Sequence, residues 1–163
     1  MSLTLHLLRS AADELPMPVS DQIVSLTLAL QNETGSMVLA LDNDSVAPGT
    51  AAVAAHVSPL PKTMFWRFSG RGPIVSALSP QAALTMRQDN TGAVVVYPPQ
   101  PGNPSFQSWT MTDEGLIHNM DSTQVLTVSV EDGIAALTMF SVVEGGAAIG
   151  IYQHWNMTPL AAP

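Results

Sequence analysis

Few side chains in this sequence could do covalent chemistry. The four histidines, His6, His56, His118 and His154, are scattered and show none of the paired spacings, such as His-x-x-x-His, that bring two imidazoles to one metal. There is no cysteine, hence no thiolate nucleophile, thiolate ligand or disulfide. No serine or histidine stands in a nucleophile motif such as Gly-x-Ser-x-Gly. The acidic residues gather in polar turns at Asp42-Asn-Asp44, Gln88-Asp-Asn90 and Glu131-Asp-Gly133. The sequence therefore predicts a binding protein rather than an enzyme, with no metal and no cofactor. What remains is the chemistry of recognition. Tyr97 opens the loop Tyr97-Pro-Pro-Gln-Pro-Gly-Asn-Pro104, whose prolines hold the ring rigid and partly exposed. Lys62, the only lysine, closes a second proline-stiffened stretch, Ser58-Pro-Leu-Pro-Lys62.

The elements that carry these loops are announced by the three tryptophans. Trp66, Trp109 and Trp155 lie 43 and 46 positions apart, a near-constant period that signals an internal repeat. Each has an apolar residue two places on, Phe68, Met111 and Met157, which is the alternation of a short half-buried strand. After the first two come a Gly-containing turn and a strand, in Ser69–Leu78 and Asp113–Met120. A second strand follows in every copy, Met37–Leu41, Ala82–Met86 and Gln124–Val128, closed by the acidic turns. A third, around Ala52–Val57, Ala93–Tyr97 and Ala136–Val142, leads back to the tryptophan strand. Three copies of about 40–46 residues with four strands each give twelve strands. One copy cannot bury its own apolar face, but three related by approximate threefold symmetry can enclose a shared core, so the tryptophans are expected inside it. No stretch keeps a 3.6-residue period long enough for a major helix.

These residues resemble the ricin-B-type lectins, β-trefoil proteins whose repeats end in Gln-x-Trp. Gln107-Ser-Trp109 and Gln153-His-Trp155 match, Met64-Phe-Trp66 keeps only the tryptophan, and the similarity spans residues 28–157. The resemblance implies an all-β, β-trefoil fold with a shallow sugar pocket in each copy. Such a pocket has an aspartate on the second strand, an aromatic ring on the third, and polar side chains just before the tryptophan. Carried over by pattern, the aromatic falls on Tyr97 in copy two and Phe140 in copy three, with only His56 in copy one. The glutamine falls on Gln107 and Gln153. The aspartate position holds Ala40, Thr85 and Thr127, with Asp89 and Asp132 in the turns just downstream as substitutes. The resulting candidate site in copy two comprises Asp89, Tyr97, Asn103 and Gln107, and that in copy three Asp132, Phe140 and Gln153. By residue type alone, Phe140 reads as core, and the two glutamines as partners for nearby backbone.

Composition sets the boundaries of function. At 163 residues with 46% apolar and 11% charged side chains, the chain suits one domain with one core. Its net charge of -8, with five basic residues, is too acidic to neutralise a phosphate track, which excludes nucleic acid and disfavours anionic membrane. The opening residues lack a basic n-region and a continuous apolar run, and no span of about 18 apolar residues occurs, so a cytoplasmic protein without membrane insertion is expected. Residues 1–27 read as an N-terminal arm with a possible extra strand, and 28–163 as the trefoil domain. The expected partner is a glycan or glycoprotein, bound weakly through copies two and three. The alternatives are a sugar-silent, lectin-like subunit that binds a protein partner, and a β-trefoil protease inhibitor acting through a Pro-rich loop at Lys62.

Overall fold

The computed structural model describes residues 20–28, 37–57, 60–102, 104–132, 134–143 and 151–160. In each copy the tryptophan strand lies antiparallel to the strand that opens the copy. β1 (Ile23–Leu28) pairs with β4 (Phe65–Arg67), Val24 facing Trp66. In copy two the opening strand is split into β5 (Arg71–Gly72) and β6 (Val75–Ser76). Pro73, which has no N–H to give a ladder, lies in the break. Gly72 faces Trp109 of β9 (Trp109–Met111). In copy three Gly115, just ahead of β10 (Ile117–Asn119), accepts the Trp155 N–H of β14 (Trp155–Pro159) at 2.9 Å. Successive copies join through β4 with β6, β9 with β10 and β14 with β1, and the ring closes.

The remaining strands form three hairpins. They are β2 (Met37–Leu41) with β3 (Ala52–His56), β7 (Ala83–Met86) with β8 (Val94–Tyr97), and β11 (Val125–Glu131) with β12 (Ile134–Phe140). A short β13 (Ile151–Tyr152) is added on the free edge of β11. The hairpin turns of copies one and two lean on the copy that follows. Gly49 N–H donates to Val96 O at 2.7 Å, and Met139 N–H donates to Gly92 O at 2.9 Å. With β5 and β6 counted as one broken strand and β13 as an addition, the fourteen described segments fill the twelve positions of a β-trefoil.

The core repeats with the copies. Leu26, Ile74 and Ile117 of the opening strands, and Leu39, Leu84 and Leu126 of the second strands, are fully buried, as are Trp66, Trp109 and, to 2%, Trp155. Each indole N–H donates to the carbonyl of the second-strand leucine of its own copy: Trp66 to Leu39 at 3.0 Å, Trp109 to Leu84 at 3.0 Å, Trp155 to Leu126 at 3.1 Å. A buried N–H left without an acceptor would cost about 1–3 kcal/mol, so these three bonds are what allow tryptophan at the centre. Phe68 is buried beside them, while Met111 and Met157 are half-buried. Gly115 shows why a turn glycine opens copy three. Its φ is +88°, and a Cβ there would stand 2.5 Å from Trp155 O.

The first copy begins earlier than the sequence pattern suggests. Ile23–Leu28 is a barrel strand held on both sides, by β4 and β14, so residues 23–27 belong to the trefoil rather than to an arm. The extra strand expected in the arm, over the alternating residues Ser2–Leu8, lies outside the described residues.

Candidate functional site

Tyr97 and Phe140 occupy the same place in successive copies. Tyr97 faces Ala83 and Phe140 faces Val125, each partner immediately preceding the buried second-strand leucine. Both rings are exposed, by 39% and 46%. Phe140 is therefore not the core residue its type suggests. Alternation along β12 turns Met139 inward, at 3% exposure, and Phe140 outward. In copy one the ladder sets Ala55 opposite Val38, which makes Ala55 the counterpart, and His56 lies one residue beyond, opposite Met37. Copy one thus presents no ring here.

Gln107 and Gln153 are buried, at 3% and 4%, and bonded in parallel ways. The Gln107 amide donates to Thr85 Oγ1 at 3.2 Å and Pro98 O at 3.1 Å, and its carbonyl accepts Gln100 N–H at 2.9 Å. The Gln153 amide donates to Thr127 Oγ1 at 3.2 Å and Ser141 O at 2.7 Å, and its carbonyl accepts Val143 N–H at 2.8 Å. Each threonine hydroxyl passes its own proton back to its strand, Thr85 to Ala83 O at 2.8 Å and Thr127 to Val125 O at 2.9 Å. Both amide protons of each glutamine are thereby spent inside the protein. The glutamines shape the surface by tying down the chain that follows each exposed ring. Copy one, with Ala40 and Met64 in these places, holds its loop otherwise: Asp44 Oδ1 accepts the backbone N–H of the exposed Lys62 at 3.1 Å and of Thr63 at 3.4 Å.

The turn carboxylates do not join the rings. Asp89 lies beyond the Met86–Val94 pair, at the closed end of the β7–β8 hairpin, whereas Tyr97 is at the open end. Three ladder steps, about 10 Å, separate those pairs before the turn itself is counted. Asp132 sits in the turn between Glu131 and Ile134, six steps or about 20 Å from the Val125–Phe140 pair. Neither replaces the aspartate missing from the second strand. Asp89 is a turn residue: it accepts Thr91 N–H at 3.1 Å and the Thr91 hydroxyl, and pairs with Arg87 at 2.8 Å. The bonds from Thr91, then the Arg87 charge, hold its carboxyl below the usual range. Asn103 lies outside the described residues. What the structure brings together in copy two is Tyr97, the backbone of Pro98 and Gln100, Gln107 and Thr85.

The sequence pattern places Thr85 and Thr127 at the vacant aspartate position but does not mark them as partners of the two glutamines. The signal was present: the two copies with Gln before Ser-Trp or His-Trp carry threonine on the second strand, and the copy with Met carries alanine. Among the described residues no group of three His, Asp or Glu could hold a metal ion, and no helix is long and apolar enough to cross a membrane.

No protein-family model matches the chain, and no curated protein matches it in sequence. Solved structures do match in shape. A designed threefold-symmetric protein, ThreeFoil, is 21% identical, with a TM-score of 0.64 over 85% of this chain and 99% of that one. The C-terminal domain of an earthworm lectin, a mutant in complex with 6′-sialyllactose, is 18% identical, with a TM-score of 0.63 over 85% and 99%. The β-trefoil lectin of the Vibrio vulnificus hemolysin/cytolysin, with N-acetyl-D-lactosamine bound, is 15% identical, with a TM-score of 0.61 over 88% and 99%. At these identities the likeness establishes the β-trefoil fold.

Proposed function

We propose that this chain is a lectin-like glycan-binding protein that uses copies two and three, with Tyr97 and Phe140 as stacking platforms and copy one silent. The observation that carries the reading is the pair of exposed rings at equivalent positions, each followed by a loop anchored by a buried glutamine, where copy one has Ala55 and Met64. Two of the similar structures hold a sialylated lactose and N-acetyl-D-lactosamine, which supports the same class of ligand here. Because the threonine hydroxyls and glutamine amides are spent internally, a sugar on either platform gains stacking and contacts to loop backbone but no carboxylate. At about 0.3 kcal/mol per non-hydrogen atom, a monosaccharide gains about 4 kcal/mol, a Kd near 1 mM. Useful avidity then requires both copies to engage one multivalent glycan. A glycan array followed by titration of wild type, Tyr97→Ala and Phe140→Ala tests this: each variant should lose one site, and unchanged affinity in both would remove the platforms.

A second reading rests on copy three. Phe140 is followed two residues on by Val142, at 36% exposure, an apolar pair suited to a protein partner. A blank array together with a protein ligand lost on Phe140→Ala would establish that reading instead.

A further inference from the structure

A groove of about 470 Å³ lies at the closed end of the copy-two hairpin, away from Tyr97, between that turn and the turn that leads into β11 of copy three; Met139 on its wall adjoins Phe140, whose ring projects from the other face of β12. We propose that it is a second binding site, for a neutral polyhydroxylated ligand of saccharide type. The proposal rests on the glycan reading only for the class of ligand, not for the place of binding.

The groove is open and polar, with Gln88, Asn90, Thr91 and Asp121 exposed on its walls, so a ligand there gains hydrogen bonds with little burial. The walls are fixed before any ligand arrives. On one side the Asp89 carboxylate accepts from Thr91, the Thr91 hydroxyl accepts Ala93 N–H at 3.2 Å, and Arg87 is paired with Asp89. On the other, Asp121 Oδ1 accepts the Ser105 hydroxyl at 3.0 Å, Asp121 N–H donates to Asn119 Oδ1 at 2.9 Å, and Gln124 N–H donates to Ser122 Oγ at 2.9 Å. The floor is set by Gly92, whose φ is +74°. A Cβ there would come within 2.8 Å of Thr138 Oγ1 and 3.1 Å of Met139 O, so only glycine lets the turn close on β12.

Within this frame the side-chain amides of Gln88, Asn90 and Gln124 line the groove, and among the described residues none of them has a partner. Three unpaired amides offer both donors and acceptors, the pattern that hydroxyl groups satisfy. The nearly buried Met86 and Met139 add an apolar base for a sugar's C–H face. Charge selects against anions. Arg87 is already neutralised by Asp89, and an anion would also face Asp121 and a chain of net charge -8. Preformed walls keep the ordering cost of binding low.

Backbone amide shifts of ¹⁵N-labelled protein titrated separately with galactose, mannose and N-acetylglucosamine at millimolar concentration test the proposal. At least one sugar should move Gln88, Thr91 and Gln124 along one saturation curve. Gln124→Ala with Asp121→Asn should weaken that curve about tenfold or more while the unfolding midpoint stays near that of wild type. Shifts confined to Tyr97, Phe140 and their loops would overturn the groove and leave the glycan reading standing. Shifts in the groove alone would support it and remove the platforms. No shift with any of the three sugars would overturn it.

Discussion

Exchanging Gln107 for methionine installs in copy two the residue that copy one carries at Met64, and it isolates what the buried amide contributes. Side-chain volume is nearly kept, so the cavity term is small. Three hydrogen bonds are lost, to Thr85 Oγ1, Pro98 O and Gln100 N. At a net worth of about 1 kcal/mol each, the upper bound is about 3 kcal/mol. Pro98 and Gln100 are exposed and can turn to water, and Thr85 keeps its bond to Ala83 O, so the expected loss is about 2 kcal/mol. For a domain of this size that is about 4–8 °C in Tm. Urea unfolding should show a lower midpoint with an unchanged slope. The same substitution frees the loop beyond Tyr97 and should weaken any ligand bound there. A double-mutant cycle sharpens the test. Thr85→Val in the wild type leaves a buried amide proton unpaired; in Gln107→Met it does not, so the second cost should be smaller by about 1 kcal/mol. The combination Gln107→Met with Thr85→Ala recreates the Met64 and Ala40 pair and should be no worse than Gln107→Met by more than about 1 kcal/mol. A Gln107→Met protein as stable as wild type, or equal costs for Thr85→Val in both backgrounds, would refute the reasoning.

Trp109→Phe keeps an aromatic body but orphans the Leu84 carbonyl, and thermal unfolding should register a loss of about 1–3 kcal/mol beyond the lost volume. Gly115→Ala forces a side chain into a left-handed backbone against Trp155 O and should cost about 1–3 kcal/mol or more, read by the same assay. Because the folded carboxyl of Asp89 sits below its ordinary pKa, its contribution to the turn is present above the ordinary carboxylate range and is lost as pH falls through the lowered folded value. An NMR titration should find Asp89 protonating below the ordinary aspartate range, and Asp89→Asn should remove the accompanying change at Thr91.

What the sequence revealed is whatever repeats in side-chain identity. Three tryptophans at near-constant spacing located the core strands and the threefold order, and the two Gln-x-Trp elements marked the copies alike in bonding. Features carried by the backbone left no such trace. The carbonyls of Leu39, Leu84 and Leu126 that receive the indoles look like those of any leucine. The start of copy one carries no such mark, because it has Val24 in an ordinary strand where the other copies have Gly72 and Gly115. Register was the other blind spot. His56 against Ala55 is a shift of one residue, and in Met139-Phe140 two adjacent apolar residues give no alternation to say which faces inward. Asp89 and Tyr97 are eight residues apart in the chain, yet a hairpin puts them at opposite ends. The groove is invisible in sequence because its walls come from two different copies.

The most direct test of glycan binding through copies two and three is the titration of a multivalent glycan selected on the array against wild type, Tyr97→Ala, Phe140→Ala and the double variant. Each single variant should reduce avidity at least tenfold, and the double variant should show no binding at the two platforms, with all four proteins unfolding within about 0.5 kcal/mol of one another. Retention of wild-type avidity by the folded double variant would contradict the account.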